Sequence, residues 1–380
     1  MSCSKIFSGD LPELTYEVMK YFQNDFLTLY SCILVNRLWC RLAIPLLWEN
    51  PFSIPTKNYK FIEIYLQNLK DNDFKTKSKI YKIDDNLFYL NTLFNYPNFI
   101  KYINLLKVIK SVGKWFEDSV RTLKSGNGYF LQNPDKLSTF NFKRLIYISL
   151  FKIFIENEVN LNILNIDIFP ISSYVTYYYD IFVLILQNSN FIHNIKNLNL
   201  YIGSEPSSVL IYNNNSENAL IKSQILQITH LIESINRNLN YLSILINEIY
   251  RDHNVGYNST FLQNLGQILP SKLEYLSLSL FIKKSDFKIF LENTQNTFIN
   301  RLVIVQQSED DILHYIKEFI MKEKRVKYLA IRNLRNILDL STLEDEVNEF
   351  MLYNIIVLNF FKLYLHVRNY EFVKNIDYYS

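Results

Sequence analysis

The side chains best suited to metal binding or nucleophilic catalysis are few in this chain and widely spaced. No two of its five histidines or three cysteines stand at the spacing of zinc ligands. His-Glu-x-x-His, Cys-x-x-Cys and Gly-x-Ser-x-Gly are absent from the sequence. We therefore expect no metal site and no catalytic nucleophile among His193, His230, His253, His314, His366, Cys3, Cys32 and Cys40.

Phosphate-binding loops need several glycines at fixed offsets, and this chain of 380 residues has only 7. The single close pair, Gly126-Asn127-Gly128, is followed by Leu131 where a dinucleotide fingerprint needs a third glycine. It also follows Lys124-Ser125 and not an apolar strand, which favours a turn. No nucleotide cofactor is predicted.

Adjacent acids occur at Asp310-Asp311 and at Glu344-Asp345-Glu346. Each group opens a segment with helical periodicity, where the helix dipole stabilises negative charge. They are therefore interpreted as helix-start residues and not as catalytic carboxylates. Together with the missing motifs, they indicate a protein that is not an enzyme and carries no cofactor.

The charge balance argues against binding to nucleic acid or to anionic membranes. Lys and Arg exceed Asp and Glu by 40 to 37, a net charge of +3. The lysines at positions 75–82 and the run Lys322-Glu323-Lys324-Arg325 resemble a solvated loop and a helix C-terminus. Three cysteines and no apolar run at the start predict a reducing compartment, cytoplasmic or nuclear.

The elements that could place a binding surface begin in the first fifty residues, where the pattern predicts three short helices. Asp10 and Pro12 suit the start of the first helix, and Asn24-Asp25 breaks its pattern and caps the second. The segment Val35-Asn36-Arg37 turns the chain into a third helix that Pro45 should end or kink. Helices this short cannot bury all their apolar surface alone, so part of it should meet a partner or the rest of the chain.

The same stretch resembles the F-box motif. The resemblance rests on Leu11-Pro12-Glu13-Leu14, Val18, Asp25-Phe26, Val35-Asn36-Arg37-Leu38-Trp39 and Leu47-Trp48. The Leu-Val-Asn-Arg-x-Trp part is similar to the version common in large fungal F-box families, notably those of mycorrhizal fungi. Phe26 departs conservatively from the leucine usual after the aspartate.

What the F-box resemblance implies is docking onto the Skp adaptor of a cullin-RING ubiquitin ligase. The residues that it assigns to adaptor binding are Leu11, Pro12, Glu13, Leu14, Val18, Val35, Arg37 and Trp39. In the alternative interpretation, these helices are the helical cap that repeat proteins need at one end of the array.

Beyond the F-box-like residues 1–52, a helical connector is expected over 53–140, ending near the polar loop at 125–135. From about 141 to 380 an apolar-x-x-apolar-x-apolar pattern recurs at steps of 26 to 44 residues. Its clear examples are Leu161/Leu164/Ile166, Ile195/Leu198/Leu200, Leu239/Leu242/Ile244, Leu273/Leu276/Leu278, Ile299/Leu302/Ile304 and Val326/Leu329/Ile331. Weaker ones are Leu145/Ile148/Leu150 and Ile355/Leu358/Phe360.

Helical signals separate these runs, as in the stripe Ile221, Ile225, Ile228, Ile232 and Ile235. Strand followed by helix, repeated, predicts an α/β fold that resembles an irregular leucine-rich-repeat solenoid, with parallel strands and helices outside. No consistent asparagine follows the third apolar residue, so a less regular array is expected. The alternative is a helical-repeat array in which the short runs are buried helix segments.

In a leucine-rich-repeat strand the residues between the apolar positions alternate away from the core. Those positions bring tyrosines into neighbouring strands beside arginines, both frequent anchors of protein interfaces. Tyr241, Tyr275, Tyr328 and Arg332 are therefore predicted to face a target protein. The alternative is that these rings only shield the sheet or stack on each other.

The function that these features favour is that of a substrate receptor in an SCF-type (Skp adaptor–cullin–F-box) E3 ubiquitin ligase, with catalysis supplied by partners. Its predicted partners are the adaptor, a cullin held through it, and an unknown protein target. The alternative is a non-ligase interaction scaffold, which binds the adaptor alone. The target, any modification it carries and the oligomeric state do not follow from the sequence.

Overall fold

The computed structural model describes residues 11–54, 58–67, 69, 92–123, 136–168, 175–203, 214–246, 255–308 and 310–363. Asp10, Cys3, His253, His366, the lysines at 75–82 and the glycine-containing loop at 125–135 lie outside the described residues. The chain divides into two compact units, residues 1–164 with 180–194, and residues 165–179 with 195–380.

The first unit begins with three helices, α1 (Pro12–Lys20), α2 (Phe26–Ile33) and α3 (Arg37–Leu47). As predicted, the Asp25 side chain caps α2 by accepting a hydrogen bond from a backbone N–H group, and the Asn36 side chain caps α3 in the same way. Pro45, which was expected to end or kink the third helix, does not end it, because α3 continues past it to Leu47. A short helix, α4 (Phe61–Leu66), a strand, β1 (Tyr102–Asn104), and a long helix, α5 (Leu105–Leu123), follow.

Aromatic rings form the centre of this unit. Trp48 and Phe154 each meet the fully buried ring of Tyr65 edge-on, at 5.3 and 5.4 Å between centroids. Phe52 stacks on Tyr65 from a third side, at 6.0 Å. Phe154 belongs to α6 (Lys136–Glu156), whose side chains pack against residues just after the three helices.

Two expectations fall on α6. Residue 140, the expected end of the helical connector, lies inside this helix. The run Leu145/Ile148/Leu150, expected as a weak strand, also lies in α6, so that expectation is wrong. Apolar residues surround this helix instead of forming a stripe, so its periodicity is ambiguous between helix and buried strand.

The described residues form one sheet of nine strands, ordered as in the chain except that the ninth pairs with the seventh. The strands after β1 are β2 (Ile163–Ile168), β3 (Asn197–Ile202), β4 (Tyr241–Ile246), β5 (Lys272–Leu280), β6 (Phe298–Gln306), β7 (Val326–Asn333), β8 (Leu338–Asp339) and β9 (Ile356–Val357). Pairing is parallel from β3 to β7 and between β7 and β9, whereas β8 is antiparallel to β7.

In all six clear apolar runs the second and third residues lie on strands β2 to β7, and the first lies on the strand or two positions before it. This confirms the α/β expectation and makes the helical-repeat alternative wrong for these runs. Their leucines stack in register across the second unit, with each side chain at most 1% exposed: Leu198, Leu242, Leu276, Leu302 and Leu329. A second ladder runs beside the first through Leu200, Ile244, Leu278, Ile304 and Ile331. Burial of such aliphatic rows is the main force that holds the strands in this register.

Helices connect the parallel strands of the second unit. They are α9 (Asn214–Ile235), α10 (Val255–Ile268), α11 (Lys284–Asn293) and α12 (Leu313–Ile316), and successive helices pack against each other. Two helices precede them, α7 (Val175–Leu186) and α8 (Ser189–Ile192), and α13 (Glu344–Leu352) follows β8. The stripe on α9 is buried as predicted at Ile225, Ile228, Ile232 and Ile235. No helix among the described residues is long and apolar enough to span a bilayer.

Candidate functional site

The three N-terminal helices bury only one side of their apolar surface. Met19, Leu29, Cys32, Ala43 and Leu46 form their shared core. Because α1 and α2 are each only two to three turns long, this small core uses one face of each helix and leaves the other uncovered.

Large apolar side chains concentrate on the uncovered faces. On α1 and the turn after it, Leu14, Val18 and Tyr21 follow each other at helical spacing and are 45%, 50% and 88% exposed. On α2 and the turn after it, the exposed apolar side chains are Leu27, Tyr30, Leu34 and Val35. We call these seven residues the N-terminal apolar surface. Apolar residues at this density on a surface mark an interaction site more often than a solvated face.

The residues that the sequence assigned to adaptor binding fall into two groups. Glu13, Leu14, Val18, Val35 and Arg37 are exposed, and their side chains are accessible to a partner. Leu11, Pro12 and Trp39 are half-buried, and Trp39 packs against the shared core of the three helices. A change at Trp39 would therefore alter the fold of this region as well as its surface.

Sequence reasoning missed Leu27, Tyr30 and Leu34, which form the larger part of the α2 surface. Leu27, Tyr30 and Leu34 stand at i, i+3 and i+7, so they share one face of the helix. That spacing was readable, but α2 is apolar on nearly every side. The outward residues are as apolar as the inward Leu29 and Cys32, so their exposure left no signal in the sequence.

The cap of α2 also sets the local electrostatics of the apolar surface. Asp25 accepts hydrogen bonds from the Thr28 hydroxyl at 2.6 Å and from the Thr28 backbone N–H at 3.1 Å. The hydroxyl bond, and then the backbone bond, lowers the pKa of the Asp25 carboxyl below its ordinary 3.8. The carboxylate therefore stays ionised at the helix N-terminus at neutral pH.

In the second unit the predicted tyrosine row is present. The backbone register aligns Tyr241 with Tyr275, Tyr275 with Arg301, and Arg301 with Tyr328 across β4 to β7. The rings of Tyr241 and Tyr275 stack at 6.3 Å, and the Arg301 guanidinium lies over the Tyr328 ring at 5.5 Å. The strand register proposed from the sequence is therefore confirmed for these residues.

The exposure expected of Tyr275 is wrong. Its side chain is only 1% exposed, whereas Tyr241 and Tyr328 are half-buried. Residues near the end of the described chain cover the Tyr275 ring. Phe360 and Leu363 pack with Tyr275, Val303 and Ala330 in one hydrophobic cluster. Tyr275 is thus a core residue of this face, as the alternative reading had it.

Arg332, the fourth predicted target-facing residue, is half-buried next to the same cluster. Its guanidinium lies over the rings of Phe361 and Phe360, at 4.7 and 5.4 Å from their centroids. In this structure Arg332 therefore contacts the chain's own C-terminal segment through cation–π interactions.

Within the described residues, no group of three or more His, Cys, Asp or Glu side chains is placed to hold a metal ion. A comparison of the chain with protein-family models, with curated proteins and with solved structures found no match. The features of the described residues that bear on function are two surfaces, the N-terminal apolar surface and the tyrosine row.

Proposed function

We propose that this chain is the substrate-recognition subunit of an SCF-type E3 ubiquitin ligase. The observation that carries the proposal is the N-terminal apolar surface: seven large apolar side chains exposed on two short helices, α1 and α2, and on the turns after them. In this proposal the surface docks on a Skp-family adaptor, and a cullin is recruited through that adaptor. The chain itself supplies no catalytic group.

The second unit would present the target. Its strand-and-helix units, with aliphatic ladders on one face of each strand, support the resemblance to a leucine-rich repeat. The other face carries tyrosine and arginine side chains, which are common anchors at protein interfaces. Tyr241, Tyr328 and Arg332 keep part of their surface accessible there.

A capture experiment with the full chain tests adaptor docking. The Leu14→Ser, Val18→Ser double variant changes two exposed side chains, so its fold should be retained while an interface anchor is lost. If both side chains are anchors, capture of a Skp-family adaptor should weaken about tenfold or more. The matched control is Met351→Ser with Leu352→Ser, which are 60% and 82% exposed on α13.

The two variants together decide the first step of the proposal. Equal adaptor capture by wild type and by the folded Leu14/Val18 variant would refute it. Mass spectrometry of the captured material then separates the remaining readings. Adaptor with cullin supports a ligase subunit, adaptor alone supports a scaffold, and neither supports an N-terminal cap.

A further inference from the structure

The chain fills part of its own target-facing surface. Leu358–Leu363, which we call the C-terminal strap, follows β9 and lies on the face that carries the tyrosine row. Phe360 is 7% exposed and Leu363 is 2% exposed, whereas Phe361 between them is 50% exposed. Two side chains three positions apart therefore point into the face, and the two residues between them, Phe361 and Lys362, are exposed.

The cavity that receives these two side chains is built by the sheet. Its lining comes from β5, β6 and β7, where Tyr275, Val303, Val305 and Ala330 are each at most 5% exposed. Tyr241 and Leu358 pack at its margin. Small residues at its centre, such as Ala330, leave room for a ring from outside the sheet. We call this cavity the strap pocket.

Polar contacts hold the strap from one side. The Asp339 carboxylate accepts a hydrogen bond from the Phe360 backbone N–H at 3.1 Å and one from the Asn359 side-chain amide at 3.2 Å. Arg332, which pairs with Asp339 across β7 and β8, stacks on Phe361. An aromatic pocket beside a carboxylate that binds a backbone N–H is a suitable arrangement for a short peptide.

The strap has few backbone links to the sheet. Its preceding strand, β9, pairs at only two positions, with Tyr328 and Leu329, and the Leu358 N–H donates to the Leu329 carbonyl at 2.8 Å. By contrast, β5 and β6 pair at eight positions. Segments with few backbone hydrogen bonds open at lower free energy than the strands they cover.

We infer that the strap pocket is the target-binding site and that the strap is an internal ligand which the target displaces. The target would be a protein segment that carries an aromatic residue and, three positions later, an aliphatic one, matching Phe360 and Leu363. The inference rests on the proposed function in one respect only: the proposed function makes the bound protein a ubiquitination target. The target can bind only a chain whose pocket is open. Its apparent affinity is therefore the intrinsic affinity multiplied by the fraction of chains with an open pocket.

The test uses the full chain and a fluorescent peptide of residues 358–363 as the probe. Phe360→Ser with Leu363→Ser should release the strap, so this variant should bind the peptide at least about tenfold more tightly than wild type. Lys362→Ser is the matched control, since Lys362 lies in the strap but is exposed, and it should bind the peptide as wild type does. A peptide with serine at both pocket positions should not bind.

Each result decides the inference. A folded release variant that binds the peptide no better than wild type, or that binds the serine peptide equally, overturns it, because the strap is then permanent core. If the release variant does not fold, Asn359→Ala is measured instead. It leaves the apolar contacts and the pocket intact and removes the strap amide that donates to the Asp339 carboxylate at 3.2 Å, so peptide binding must rise, and no rise also overturns the inference.

Failure here is distinguishable from failure of the proposed ligase role. Adaptor capture by the same strap variants reports on the N-terminal apolar surface alone. Loss of adaptor capture in the Leu14/Val18 variant should leave peptide binding unchanged.

Discussion

Glu49 and Lys101 are joined twice. The Lys101 ammonium donates a hydrogen bond to the Glu49 carboxylate, and the Lys101 backbone N–H donates to the Glu49 carbonyl at 3.0 Å. The Glu49 carboxylate also accepts from the Gln23 side chain. Glu49 is 7% exposed and stands two residues after the end of α3, so these bonds connect the end of the three-helix segment to the start of β1.

This relationship predicts that Lys101→Ala destabilises the first unit. The change removes the cation that faces a buried carboxylate, and we expect a loss of about 1–3 kcal/mol in unfolding free energy. Lys101 is itself half-exposed, which keeps the loss below that of a fully buried ion pair. Chemical denaturation checks this value. Lys107→Ala, which removes an exposed lysine bonded to Ser53, is the control and should change stability by less than about 0.5 kcal/mol.

A second prediction concerns the acid side of the stability profile. Because the pKa of Asp25 is lowered below 3.8 in the folded state, its ionised form stabilises α2 fully above that value. The contribution is lost as the pH falls through the lowered folded-state pKa. Asp25→Asn still offers an N-cap oxygen but does not titrate.

The Tm of wild type minus that of Asp25→Asn should therefore be constant at neutral pH and shrink below about pH 4. Thermal melts of both proteins over that range measure the difference. A difference that stays the same down to the lowest pH at which both fold would contradict the assignment of the cap.

The repeats were predictable because their signal is local and repeated. Each buried strand places aliphatic residues at the same three positions, and six such runs in one chain are not expected by chance. The run Leu145/Ile148/Leu150 matched the same pattern within a helix that is apolar on most sides. Periodicity cannot separate the two when a helix has no polar face.

Tyr275 could not be assigned to the core from the sequence. Its strand neighbours were predicted correctly, but the side chains that cover it, Phe360 and Leu363, come from more than eighty residues later in the chain. Sequence periodicity describes one element at a time, so a long-range contact of this kind leaves no local signal.

A third prediction concerns the turn after β7. The sequence lacks a regular asparagine after the repeats, yet Asn333 ends β7 in a buried polar cluster. Its amide donates to the Ser308 carbonyl at 3.1 Å, and its side-chain oxygen accepts the Arg335 backbone N–H at 2.8 Å. These bonds satisfy backbone groups at the strand-to-turn junction.

Asn333→Ala leaves those backbone groups without their side-chain partner and should cost about 1–3 kcal/mol of unfolding free energy. Asn336→Ala is the control, because Asn336 is exposed and its oxygen accepts a single bond from Leu338 at 3.3 Å. Urea denaturation of both variants measures the difference. Equal stability of the two would mean that the buried cluster contributes nothing.

The last prediction distinguishes tyrosines of the row that belong to the core from tyrosines that are available to a target. Tyr275→Ala removes a ring that is 1% exposed and packed by Val303, Ala330 and the strap, so it should destabilise the second unit by about 3–5 kcal/mol. Tyr328→Ala removes a half-buried ring in the same register row, and its cost should stay below about 1 kcal/mol.

If Tyr328 serves a target and not the core, Tyr328→Ala should keep the wild-type Tm while weakening capture of target proteins by the full chain. Tyr241→Ala should fall between the two in stability, because its ring loses the stacking on Tyr275 but starts half-exposed. Differential scanning calorimetry of the three variants gives the order. Destabilisation by Tyr328→Ala as large as that by Tyr275→Ala would show that the row is core along its whole length and would remove Tyr328 from the target-facing surface.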